Sequence, residues 1–167
     1  PTDQNELLKN GNSASVALVA IDGKKLVIKK YNYSKIFKPF IRRFRKSRAS
    51  ISWSNAFRLL NYGMKTPAPY ALFDTYKGPM MTHAYFIAEH LDGQCLLEAI
   101  EKCEDERILK QIFGQIKDIF HVWNKCKIAH GDCKATNFIL VDETVYIIDL
   151  DAMQEFNKNE NFRRYHT

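Results

Sequence analysis

His130-Gly131-Asp132-Cys133-Lys134-Ala135-Thr136-Asn137 is followed, twelve residues after Asn137, by Asp149 in Tyr146-Ile147-Ile148-Asp149-Leu150-Asp151. The pattern is H-G-D-x-K-x-x-N, then an apolar run that ends in D-x-D. This spacing suits phosphoryl transfer. Moving the γ-phosphoryl group of ATP onto a hydroxyl requires a carboxylate beside the attacking oxygen and ligands that hold Mg²⁺ across the phosphates. Asp132 fits the first role, and Lys134 beside it is the second candidate catalytic residue. Asn137 reaches a metal from the far end of the same loop. Asp149 presents a harder ligand from the end of a short strand. Mg²⁺ prefers oxygen donors, and both candidate ligands are oxygen donors.

The flanking sequence supports a folded site over a chance turn. Phe138-Ile139-Leu140-Val141 and Val145-Tyr146-Ile147-Ile148 are apolar runs rich in β-branched residues, and Asp142-Glu143-Thr144 separates them. They predict a hairpin with the loop at one end and Asp149 at the other.

The chain has 167 residues, 46% of them hydrophobic and 13% aromatic. That composition belongs to a folded domain with a core. The net charge is +6 and the pI about 9.1, which favours anionic partners. Cys95, Cys103, Cys126 and Cys133 form no C-x-x-C pair and none has zinc-finger spacing to a histidine. They read as reduced thiols of a cytoplasmic protein. No apolar run approaches the roughly 18–20 residues that span a bilayer, and no signal peptide is legible.

Toward the N-terminus, residues 16–21 and 24–31 predict a β-hairpin about Asp22-Gly23, a strong tight-turn signal. Asn10-Gly11-Asn12-Ser13-Ala14-Ser15 precedes it. This small polar segment is either a loop over phosphates, offering backbone N–H groups and the Ser13 and Ser15 hydroxyls, or an ordinary turn. Lys29 shares a strand face with Val27, whereas Lys30 points the other way, so Lys29 is the candidate phosphate-pairing lysine. Lys35 to Arg48 is the most basic stretch, with Phe37, Phe40, Ile41 and Phe44 interleaved. It reads either as a basic amphipathic helix against an anionic surface or as a solvated helix face. Residues 51–62 predict a helix with an apolar stripe of Trp53, Ala56, Phe57 and Leu60, closed by Gly63. Strands follow over 70–73 and 84–88. Residues 104–123 predict a long helix whose apolar face holds Ile108, Ile112, Ile116, Ile119 and Trp123, joined by Leu109, Phe113 and Phe120, with His121 in a structural place.

The order of parts resembles a protein-kinase-like fold. More narrowly, the chain is similar to the bacterial lipopolysaccharide core kinases, the Kdo/heptose kinase family. The likeness rests on Ser47-Arg48-Ala49, Trp53-Ser54-Asn55, Gly63-Met64-Lys65-Thr66-Pro67-Ala68-Pro69, the loop from His130 to Phe138, and Ile148-Asp149-Leu150-Asp151-Ala152-Met153. It covers nearly the whole chain.

The resemblance implies an α+β, two-lobe fold. Residues 1–90 form an N-terminal lobe with the ATP lysine, and residues 91–167 a partial, apparently truncated C-terminal lobe. It implies that Glu89 and Leu91, in Glu89-His90-Leu91-Asp92-Gly93, form the hinge whose backbone groups bind adenine. It implies ATP and Mg²⁺ as cofactors and a sugar hydroxyl of the anionic inner-core glycolipid as acceptor. The enzyme would be cytoplasmic, in peripheral contact with the inner membrane, with no nucleic-acid partner. One departure stands out: a kinase pairs its ATP lysine with a glutamate on the following helix, yet no acidic residue occurs from Lys24 to Phe73. Two other readings stay open. One is a kinase of another small-molecule or protein hydroxyl. The other is a non-catalytic scaffold, favoured by the missing glutamate and opposed by the intact Asp132, Asn137 and Asp149.

Overall fold

The computed structural model describes residues 6–33, 46–157 and 161–162. The chain divides into two compact units. The first holds residues 1–56 and 67–90, the second residues 57–66 and 91–167. Residues 57–66, grouped with the first ninety in the sequence reading, thus cluster with the second unit.

The first unit is built on a five-stranded antiparallel sheet. Its strands are β1 (Glu6–Asn10), β2 (Ala14–Ile21), β3 (Lys24–Asn32), β4 (Pro69–Lys77) and β5 (Met80–Glu89), in the order β1-β2-β3-β5-β4. Asp22 and Gly23 both take positive φ, at 49° and 75°, as a tight hairpin turn between β2 and β3 requires. Central β3 sets Lys29 opposite Val16 of β2 and Phe86 of β5.

Helix α1 (Arg48–Asn61) begins where Ser47 caps it. The Ser50 N–H donates to Ser47 Oγ at 2.9 Å, which satisfies one of the orphan donors of the first turn. The helix ends at Gly63, whose φ is 74°. Gly63 N–H donates to Leu60 O and Met64 N–H to Leu59 O, the paired closure of a left-handed C-terminal cap. Its buried face is Ala49, Ser52, Asn55, Ala56 and Leu59. This corrects the expected stripe, because Phe57 and Leu60 face outward. Leu59, two alanines and the polar Ser52 and Asn55 take the inner face. Tyr31, Ala49 and Ala84 form the core of this unit, with Ala14, Tyr33, Leu72, Met81 and Phe86 packed on it.

The second unit holds β6 (Gln94–Cys95), α2 (Leu96–Lys102), α3 (Glu106–Cys126), β7 (Ile128–Ala129), β8 (Phe138–Val141), β9 (Thr144–Ile147) and β10 (Gln154–Glu155). Strands β6, β8 and β9 form one sheet, and β10 pairs with β7. Helix α3 starts at Asp105, whose carboxylate accepts from Arg107 N–H at 2.8 Å. It buries Ile112, Ile119 and Trp123. Phe113 and Phe120 lie on its exposed side, against expectation, and His121 lies there too; Phe120 still packs edge-on to Trp123 at 5.3 Å. Gln115 of α3 grips the β8–β9 turn. Its Nε2 donates to Glu143 O at 2.6 Å and its Oε1 accepts from Val145 N–H at 2.9 Å.

The four cysteines are free thiols. Among the described residues no helix is long and apolar enough to cross a membrane. The helix expected over the basic stretch falls mostly on residues 34–45, outside the described residues.

Candidate active site

The loop from His130 to Asn137 joins β7 to β8, and its last three residues, Ala135–Asn137, form a 3-10 turn. Its buried anchor is His130, 2% exposed. The ring lies beside Trp123 at 5.6 Å and Phe138 at 6.3 Å. His130 Nε2 lies 3.0 Å from Ile148 O. A carbonyl only accepts, so Nε2 carries the proton, and burial holds the imidazole pKa below its ordinary value. The chain then turns at Gly131, with φ at 80°. A Cβ at Gly131 would run into the backbone oxygen of Ala152. Only glycine permits both this φ and this approach.

Asp132, Lys134 and Asn137 come together beyond that turn. Lys134 Nζ pairs with Asp132 Oδ2 at 2.8 Å. Asn137 Nδ2 donates to the backbone O of Asp132 at 2.8 Å and to its Oδ2 at 3.1 Å. The Lys134 and Asn137 bonds, in that order, hold the Asp132 carboxyl below the usual carboxylate range. The same pairing raises the Lys134 pKa. Asp132 is therefore an exposed, ionised carboxylate with a fixed orientation, able to accept a proton from a hydroxyl.

Asp149 approaches the same loop through backbone bonds. Ile148 N–H donates to Asn137 O at 3.0 Å, while Ile148 O receives the His130 proton. Asp149 itself is left-handed, with φ at 61°, and leads into a 3-10 turn over Leu150–Ala152. Its charge reaches both Lys134 and His130. The expected strand ends at Ile147, so a left-handed turn residue carries this carboxylate.

The donor set fits a hard cation. Asn137 donates through its amide nitrogen to Asp132, so its Oδ1 and the Asp149 carboxylate are the oxygens that could hold such an ion. Among the described residues no three His, Cys, Asp or Glu side chains group to hold a metal. Mg²⁺ usually takes one or two protein oxygens plus phosphate and water oxygens.

The remaining candidates belong to the first unit, apart from Leu91. Lys29 Nζ lies over the Tyr31 ring, 5.2 Å from its centroid. Ser13 sits exposed in the short β1–β2 connection, its carbonyl accepting from Asn32 N–H at 3.0 Å. Gly11 N–H closes this connection onto Ala14 O at 3.0 Å. Glu89 exchanges two bonds with Ala68: its N–H donates to Ala68 O, and its Oε2 accepts from Ala68 N–H. Leu91, half-buried, opens the second unit.

Thr66 is a site-building residue that the sequence reading gave no role. Its buried hydroxyl donates to Ile147 O at 2.7 Å, and Ile147 N–H donates to Lys65 O at 2.9 Å. The segment after α1 thus braces the strand that delivers Asp149. The available signal was a threonine locked between Gly63 and Pro67.

Known proteins share this fold. Chains of solved structure that match number 1841, so the fold itself is widely used and says little about specificity. One of them is WaaP in complex with acyl carrier protein. It is 18% identical, with a TM-score of 0.68, and the match covers 96% of this chain and 67% of that one. A sequence search of curated proteins found no match. The profile of the lipopolysaccharide kinase (Kdo/WaaP) family matches residues 4–166. A match over nearly the whole length, on a chain whose Asp132, Lys134 and Asn137 meet in one loop, leads to one assignment: the chain belongs to the lipopolysaccharide kinase (Kdo/WaaP) family of ATP-dependent phosphotransferases.

Proposed function

We propose that the chain transfers the γ-phosphoryl group of ATP to a sugar hydroxyl of the lipopolysaccharide inner core. The observation that carries this reading is the Asp132 carboxylate, kept ionised and aimed by Lys134 and Asn137. Asp132 orients the acceptor hydroxyl and takes its proton as the oxygen bonds to phosphorus and ADP departs. Lys134 holds the carboxylate and adds positive charge beside the transferring group. Asn137 and Asp149 are the Mg²⁺ ligands; bound there, the ion would neutralise phosphate charge. Lys29 and Ser13 contact phosphates, and Glu89 and Leu91 offer backbone groups to adenine. The two units are read as the lobes of a protein-kinase-like fold. The net charge of +6 suits an anionic glycolipid acceptor and peripheral contact with an anionic membrane. By likeness to the WaaP complex, acyl carrier protein is also a candidate partner.

The test is transfer of radiolabelled phosphate from ATP to purified inner-core glycolipids, free sugars and a protein substrate. Label on the glycolipid alone is expected. Label on the protein, or on none of them, would reject the acceptor.

A further inference from the structure

Helix α1 has no acidic residue in its first turn, and the sequence has none from Lys24 to Phe73. The usual device for aiming a phosphate-binding lysine, a glutamate on the helix after its strand, is therefore missing from this helix. The structure puts an aromatic ring beside Lys29. Tyr31 lies two residues further along β3, so its side chain shares the face of Lys29. The Lys29 ammonium sits 5.2 Å from the ring centroid. Tyr31 is wholly buried, packed with Ala49 and Ala84. Its hydroxyl shares a hydrogen bond of 3.1 Å with Ser52 of α1, the helix that would otherwise carry the glutamate. The ring also receives the Arg48 guanidinium, 4.7 Å from the centroid, and Arg48 N–H donates to Tyr33 Oη at 2.7 Å.

A cation over an aromatic face is attracted by the ring quadrupole, most strongly where water is excluded. A carboxylate aims a lysine too, but it competes with phosphate for the ammonium. A neutral ring orients the ammonium without adding negative charge. We propose that Tyr31, anchored through Ser52, is the positioning residue for Lys29 and does the work of the missing helix glutamate. This rests on the reading of Lys29 as a phosphate contact. It also links α1 to that lysine, through the Ser52 hydroxyl and the ring.

The test varies the ring's electronics at constant shape. Phenylalanine and trifluorinated phenylalanine are installed at position 31, each with Lys29 intact and with Lys29→Met. MgATP affinity and thermal midpoint are measured for all four proteins and for wild type. Tyr31→Phe keeps the ring face but loses the hydroxyl bond to Ser52, so it should bind MgATP somewhat more weakly than wild type. The fluorinated ring should bind about tenfold more weakly, with its thermal midpoint unchanged from Tyr31→Phe. In the Lys29→Met background fluorination should have no further effect. Equal affinities for the two rings, with Lys29→Met clearly weaker, would overturn the role of Tyr31 and leave Lys29 in place. A fluorination effect that persists in Lys29→Met would mean that the ring acts through Arg48, which also overturns it. If Tyr31→Phe binds MgATP equally well with Lys29 intact and with Lys29→Met, the phosphate contact fails, and the inference fails with it.

Discussion

At the scale of single residues, the candidate site divides into groups that do chemistry and groups that hold them. Asp132 belongs to the first. Asp132→Asn keeps the shape and the bond to Lys134 but not the basicity. It should lower turnover by about 10²–10⁴-fold while MgATP affinity survives, and single-turnover assays beside a binding titration check both halves. Asp149→Ala should weaken MgATP binding more than Asn137→Ala, since a carboxylate brings full charge to the ion and an amide only a dipole. Equal losses in the titration would count against the ligand assignment. His130 belongs to the second group, and burial lowers its pKa from 6.5. Above that value the imidazole is neutral in both folded and unfolded chains, and stability is fully present. As pH falls below 6.5 the unfolded chain binds a proton that the folded one resists, so stability drops until the folded pKa is passed. Thermal melts from pH 8 to 5 should show this slope, and His130→Gln should flatten it.

At the scale of elements, the hairpins and the long helix were legible because each carries its own period and its own turn residues. The β2–β3 and β8–β9 hairpins and α3 follow from alternation, Asp22-Gly23 and 3.6-residue spacing. Strand β1 was not legible: Glu6–Asn10 is exposed throughout, so no alternation marks it. Helix α2 is a short piece of 7 residues, below the length at which a period declares itself. The inner face of α1 was misread because a buried serine with a partner looks polar in sequence while an exposed phenylalanine looks like core. Within the site, Asp132, Lys134 and Asn137 could be read from spacing, whereas the bracing by Thr66 joins residues 81 positions apart and has no local signature. Thr66→Val should cost about 1–3 kcal/mol, since it leaves a buried carbonyl without its donor. Gly131→Ala should cost more: the left-handed conformation alone is worth about 1–2 kcal/mol, and the new Cβ meets Ala152 O. Urea melts of both variants give the ranking.

At the scale of the whole molecule, charge is the feature most open to test. Of the residues proposed for contact with anionic lipid, Arg42, Arg43, Arg45, Lys46 and Arg48, the last also lies over Tyr31, so the test changes Arg42, Arg43 and Arg45. Each basic residue near an anionic surface is worth about 1 kcal/mol, and changing all three to glutamine should weaken vesicle binding by roughly two orders of magnitude. Co-sedimentation with anionic vesicles at low salt checks this, and added salt should erase most of the difference. Equal binding at low salt would make the stretch a solvated surface. The Gln115 amide that grips the β8–β9 turn has a different consequence, one of timescale. Because a side chain of α3 completes the hydrogen bonding of the hairpin at both Glu143 and Val145, the hairpin cannot open while keeping those bonds to the helix. Amide protons of α3 and of the hairpin should therefore exchange with solvent as one cooperative group, with a shared opening free energy. Gln115→Ala should split that group, and the Val145 amide should then exchange ahead of the helix interior.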